Sequence, residues 1–172
     1  MNNIQKFQSM LESVDYKAVS KAIIVTIAKK MAEHEELSDE DLSKIYKAVE
    51  EITPGYCKIA IPVITEAYAA AFTEEELGQL LEFYGEGTIF YKFLTDVSKL
   101  EEWISKIDST VLTTDPFSLV TLLPKEVKES VKEYIFSDLR ARESAVMTGA
   151  TTKITKELKG SDLEKKISEI FA

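Results

Sequence analysis

Apolar residues recur at intervals of three and four along almost the whole chain, and no stretch sustains strict alternation of apolar and polar positions. A period near 3.6 without a period of 2 predicts an all-α protein, a multi-helix bundle of about eight to ten helices with no sheet. Ile4, Phe7, Leu11 and Val14 form the stripe of a first helix, and Asp15 is placed to cap a second that runs to about Glu36. Val19, Ile23, Ile27 and Met31 share one side of that second helix. Ile24, Val25 and Ala28 widen its apolar surface beyond one stripe, which predicts a central helix buried on several sides.

Ser38 opens a third helix carrying Leu42, Ile45, Tyr46, Val49 and Ile52, with an expected stop at Thr53-Pro54-Gly55. A fourth, Tyr56 to Phe72, contains Pro62, which lacks a backbone donor and so kinks the helix or delays its start. Its Ala67, Ala69, Ala70 and Ala71 offer a small-residue face to a neighbour. Helices over 74–84 and about 88–107 follow, the latter marked by Phe90, Phe93, Leu94, Val97, Leu100 and Ile104. The polar, β-branched stretch 108–116 ends in Asp-Pro and is a candidate linker. It divides a helical domain at 1–107 from a C-terminal helical subdomain at 117–172 packed on it. Pro116 and Pro124 suit first helical positions, predicting a short helix near 117–123 and a longer one to about Met147. Gly149 and Gly160 then set off two short terminal helices, the second opening at Ser161 with a Ser-Asp-Leu-Glu capping box.

Three consecutive glutamates, Glu74, Glu75 and Glu76, look at first like a carboxylate cluster. Their position after Thr73 gives each a structural role. Thr73 can accept the backbone N–H of Glu76, and Glu76 can reach back to the N–H of Thr73. Phe72 and Leu77 can close as the hydrophobic staple, and all three acids sit in the first turn, where the helix dipole favours negative charge. Ser38 with Asp39, Glu40 and Asp41 repeats the pattern.

The segment "ITEAYAAAFTEEELGQLLEFYGEGTIFYKFL" at 64–94 resembles the bacterial domain of unknown function 2059. Members of that family carry a Phe-Thr-Glu-Glu-Glu-Leu helix start, then Phe-Tyr, then a Ser-Pro-x-Gly turn and a Lys-Phe-Leu-like helix. Phe72, Thr73, Glu74, Glu75, Glu76, Leu77, Phe83, Tyr84, Phe93 and Leu94 fall on this pattern, whereas Gly85-Glu86-Gly87-Thr88 replaces the turn. The resemblance implies an all-helical fold, no established enzymatic activity, and a protein of a kind usually exported from bacterial cells.

Composition narrows the function classes. A chain of 172 residues can bury a genuine core without staples. Cys57 is the single cysteine, so no intramolecular disulfide and no cysteine-based zinc site are expected; His34 is the single histidine, so nucleophilic catalysis by Cys57 would require those two to converge. Six carboxylates lie in 33–41, but a calcium loop begun at Asp39 would have Lys44 where glycine belongs, and His34-Glu35 lacks the second histidine of a zinc-protease helix. Phosphate-binding glycine patterns and serine-nucleophile signatures are missing, so neither a metal nor a cofactor is expected and the chain reads as a non-enzyme.

The net charge of −9 is uneven: residues 1–105 hold 19 acids and 10 bases, residues 106–172 hold 11 of each. Such a field repels phosphates, so nucleic acid binding is not expected. The longest apolar runs, 59–64 and 67–72, are too short for a membrane span. No signal peptide is visible; the sequence as it stands suggests a cytoplasmic protein, or an exported one if a signal peptide has been removed.

The leading expectation is a non-enzymatic, all-helical protein-binding module that dimerises or sets its acidic part against a basic surface. Tyr84, Tyr91 and Trp103 are its candidate groove or interface residues. The alternative is a small-molecule or lipid carrier with a pocket between helices, and a weaker one is an acidic inhibitor mimicking nucleic acid. A continuous apolar pocket of several hundred Å³ favours the carrier; a filled core with an exposed apolar patch favours the module.

Overall fold

The structure is a computed structural model that describes residues 1–108 and 121–172. Among these residues every regular element is helical and no strand occurs, giving a multi-helix bundle of ten helices. They are α1 (Asn3–Ser13); α2, a continuous run of α-helical Tyr16–Ser20, a π turn at Lys21–Val25 and α-helical Thr26–Glu33; α3 (Asp39–Ala71); α4 (Glu74–Tyr84); α5 (Ile89–Thr95); α6 (Val97–Lys106); α7 (Lys125–Ser130); α8 (Lys132–Ile135); α9 (Asp138–Leu158); and α10 (Asp162–Ile170). Apart from Asp108, the predicted linker at 108–116 lies outside the described residues, as do residues 117–120 of the short helix expected near 117–123.

Helix starts follow local side-chain chemistry. Ser38, Thr73 and Ser161 each accept the N–H three residues on, at 3.1, 3.2 and 3.2 Å, and Asp15 accepts Ala18 N–H at 3.1 Å. At Thr73 the predicted box is complete, with Thr73 N–H donating to Glu76 Oε2 at 2.9 Å, and Phe72 and Leu77 are both buried. Glu74 adds a tertiary bond: its carboxylate accepts Asn3 N–H at 2.8 Å, pinning the start of α1 to the start of α4.

Continuity within the helices departs from the sequence reading in three places. The central helix is α3, which runs unbroken for 33 residues through both Pro54 and Pro62. A helix-interior proline costs roughly 3 kcal/mol, and packing of α1, α2, α9 and α10 against α3 offsets it. Gly55, expected to be a stop, instead admits a neighbour: a Cβ there would lie 3.1 Å from Leu163 of α10. Conversely, the helix expected over 88–107 breaks at Asp96, whose side chain caps α6 by accepting Lys99 N–H at 3.1 Å. Past Pro124 the expected long helix is divided into α7, α8 and α9, with Ser137 capping the last, while Gly149 sits inside α9 and divides nothing. The turn between α9 and α10 uses Gly160 at φ +76°, in the left-handed region open to glycine.

Three buried clusters hold these helices together. Phe7, Met10, Tyr68, Phe72, Leu77 and Leu80 join α1, the end of α3 and α4, with Phe7 stacked on Tyr68 at 4.4 Å. Ala22, Phe93, Leu100, Leu123, Val127 and Val131 join α2, α5 and α6 to the segment after Thr121. Ala60 and Val63 of α3 meet Ala150 and Ile154 of α9. Lys30 ties α2 to the end of α6, donating to the carbonyls of Ile104 (3.0 Å), Ser105 (3.2 Å) and Ile107.

Candidate ligand-binding cleft

The stripe Ile45, Ala48, Val49, Ile52, Tyr56, Cys57, Ala60, Ile61 and Ile64 is longer than any one partner helix covers. Part of it meets α1 and α2 across an open cleft of about 490 Å³, with Leu11, Tyr16, Ser20 and Ile24 on the opposite wall and Phe171 at one end. This volume falls within the ~300–1,000 Å³ typical of small-molecule sites. No charged side chain lines it among the described residues.

The surplus apolar surface of α2 explains this wall. Sequence pattern predicted burial on several sides, yet Ile24 is 45% exposed while Val25 and Ala28 are buried. Ile24 lies in the π turn, the kind of local widening that recurs at functional sites. Tyr56 (39%) and Phe171 (50%) are likewise exposed large side chains, so three apolar groups facing water in the described residues gather around one concavity. Isolated exposed apolar residues need no explanation, whereas a shared patch does.

Polar groups in the cleft are neutral. The hydroxyls of Tyr16, Ser20, Thr53 and Tyr56 make no hydrogen bond to another group among the described residues. Burial, with smaller contributions from Cys57 and Tyr91, pushes Tyr16 up to about 12. Burial also raises the Cys57 thiol above its usual range, which keeps it protonated and weakly nucleophilic near neutral pH. His34 stands exposed at the end of α2, whereas Cys57 is half-buried in mid-α3. Among the described residues no group of three or more His, Cys, Asp or Glu side chains is arranged to hold a metal ion.

The three aromatics singled out from sequence are divided between different places. Tyr84 and Tyr91 pack on the first cluster, and the Tyr91 hydroxyl pairs with Ser13 Oγ at 2.8 Å. Trp103 packs on the second cluster, edge-on to Phe93 at 5.5 Å, and donates Nε1–H to the Leu122 carbonyl at 2.8 Å. It lines a separate concavity of about 680 Å³. That one is larger, but Lys92, Lys99, Lys106, Glu102 and Glu126 share its wall, so it offers an apolar molecule much less than the first.

Tyr84 instead belongs to a buried polar site that sequence reasoning missed. Glu143 of α9 accepts the hydroxyls of Tyr84 (3.1 Å) and Tyr134 (2.9 Å), and the Tyr68 hydroxyl also bears on it. Burial raises the carboxyl's pKa and the three phenols oppose that rise, while burial pushes all three phenols well above their ordinary range. One residue earlier, Arg142 reaches across to α4: it pairs with Glu76, donates to the Ala71 carbonyl at 3.2 Å and lies over the Phe72 ring at 5.2 Å. Hydrogen bonding from Arg142, and then from Thr73, holds the Glu76 carboxyl down at about 2. Residues 142 and 143 thus fasten α9 to the first cluster.

Fold and cleft together define a helical bundle with an open, uncharged apolar groove against its longest helix. No known family profile, curated protein or solved structure matches the chain. No helix among the described residues is long and apolar enough to cross a membrane.

Proposed function

We propose that the protein is a non-enzymatic carrier that binds a small apolar molecule in the cleft between α1, α2 and α3. The carrying observation is the cleft itself: a continuous concavity of about 490 Å³ whose walls are aliphatic and aromatic, with a few neutral hydroxyls. Burial of apolar surface at about 25 cal/mol per Å² supplies the driving force, and the hydroxyls supply orientation. Between the two main classes read from the sequence, this concavity favours the carrier over the protein-binding module, for which a filled core with an exposed apolar patch would be the better support. The raised thiol of Cys57 and the exposed position of His34, which is not among the residues lining the cleft, support a binding role over a chemical one.

The test uses an uncharged naphthylamine dye and the single cysteine. The dye should bind saturably with enhanced fluorescence, and bound dye should slow alkylation of Cys57 by iodoacetamide. Ala48→Trp places an indole in the groove and should abolish dye binding while far-UV circular dichroism stays unchanged. A dimer that Ala48→Trp dissolves, with no dye bound by the native protein, would give the groove to a second copy and refute the carrier reading.

A further inference from the structure

We infer that the concavity of about 680 Å³ beside Trp103 is a second site, which binds a small amphipathic monoanion: one carboxylate or sulfonate head on an apolar tail. It stands apart from the carrier reading, because among the described residues none lines both concavities. Lys99, Trp103 and Lys106 recur at i, i+4 and i+7 and share one face of α6, while Ile89, Lys92 and Phe93 share one face of α5. Ile89 is 44% exposed and Leu122 45%, so two large apolar side chains face water beside the indole. Such a gathered patch marks a binding surface. Trp103 makes a fixed wall for it, since its Nε1–H already donates to the Leu122 carbonyl and its ring is held edge-on to Phe93.

The charges around this patch do not cancel. Lys106 pairs with Glu102 at 2.8 Å, one turn away on α6. The side chains of Lys92 and Lys99 make no hydrogen bond or ion pair among the described residues, and that of Glu126 makes none either. Two free ammonium groups against one free carboxylate leave a positive charge in this lining, on a protein whose net charge is −9. The fold accounts for Lys92, which lies in the last turn of α5, where the helix dipole favours a cation. It does not account for Lys99, in the first turn of α6, where the dipole favours the opposite sign. Asp96 caps that turn through the Lys99 backbone N–H at 3.1 Å and leaves the ammonium unpaired. A monoanionic head supplies the missing partner, and its tail covers Ile89, Leu122 and Trp103. A cationic head on the same tail meets like charge.

Trp103 is the single tryptophan, so its emission reads this concavity and not the cleft, which it does not line. The full chain is titrated near neutral pH with octanesulfonate and with octyltrimethylammonium, each below its micelle concentration. The two probes share one tail and differ in the sign of the head. Octanesulfonate should shift Trp103 emission saturably and bind about ten-fold more tightly than the cation, although the overall charge of the protein favours the cation. Lys92→Gln combined with Lys99→Gln should weaken octanesulfonate by about five-fold. The same loss of charge outside the concavity, Lys156→Gln combined with Lys159→Gln, should leave it within about two-fold. Far-UV circular dichroism checks that both double variants fold. Equal or tighter binding of the cation, or no saturable change in emission, overturns the proposal, and so does equal weakening by the two double variants. Dye binding in the cleft is independent of each of these results, so the carrier reading stands or falls separately.

Discussion

Tyr134→Phe deletes one oxygen from the buried site around Glu143, and its cost can be worked from the geometry. The hydroxyl donates to Glu143 Oε1 at 2.9 Å, and a hydrogen bond to a charged group contributes about 1.5–3 kcal/mol. The ring keeps its packing, stacked on Tyr84 at 5.9 Å and tilted against Phe83 at 5.4 Å, so the loss is that of the bond. About 2 kcal/mol is expected at pH 8, which in a protein of this size lowers Tm by roughly 4–8 °C.

The loss should also depend on pH. Burial raises the Glu143 pKa in the fold, so its contribution to stability is complete below the unfolded value of 4.5 and is lost as pH rises through the folded value. Removing a donor to the carboxylate raises the folded value further, so the variant loses stability more steeply and the gap from the native protein widens with pH. Near pH 4, where a neutral acid makes a neutral bond, the gap should shrink toward about 1 kcal/mol. Glu50 and Glu76, both held at about 2, act in the opposite sense: they stabilise above 4.5 and lose this as pH falls toward 2. They are common to both proteins and cancel in the difference. Urea unfolding at pH 4 and pH 8 measures it, with Tyr56→Phe, whose hydroxyl has no partner among the described residues, as a control expected to cost almost nothing. A gap under about 0.5 kcal/mol at pH 8, or one that is equal at the two pH values, would refute an ionised Glu143 held by Tyr134.

Two further outcomes follow from the same reasoning. Thr73→Ala removes the cap of α4 and should lower stability by about 0.5–2 kcal/mol in urea unfolding, since Glu76 N–H loses its 3.2 Å acceptor; a cost of zero would mean that Arg142 alone positions Glu76. Thr65 Oγ1 is buried without a hydrogen-bond partner among the described residues, so Thr65→Val should raise stability by about 1 kcal/mol, and a destabilised variant would show that the hydroxyl is bonded in solution.

Helix starts were legible because their information is local. Ser38, Thr73 and Ser161 each bond the backbone three residues away, a distance that sequence spacing alone sets. Asp96 and Ser137 use the same chemistry and escaped notice because apolar stripes run past them on both sides. The course of α3 was not local. Pro54 and Gly55 read as a stop, and four packed helices, with Leu163 against Gly55, turn that stop into the middle of a helix.

The all-helical class was likewise readable from the 3.6-residue period, and so was an apolar excess on α2 and α3. Only the tertiary structure decided whether that excess was core or cleft. An isolated stripe has the same composition in either case, and the difference lies in whether a neighbouring helix fills the space before it. Between α1, α2 and α3 none does among the described residues, and Ile24, Tyr56 and Phe171 are left at an open mouth. The Glu143 site is the polar counterpart: Tyr68, Tyr84, Tyr134 and Glu143 are scattered over four helices and a large part of the chain, and no spacing rule joins them. Their meeting depends on how α9 returns along α3, which is fixed by packing between helices that the periodicity within each one cannot specify.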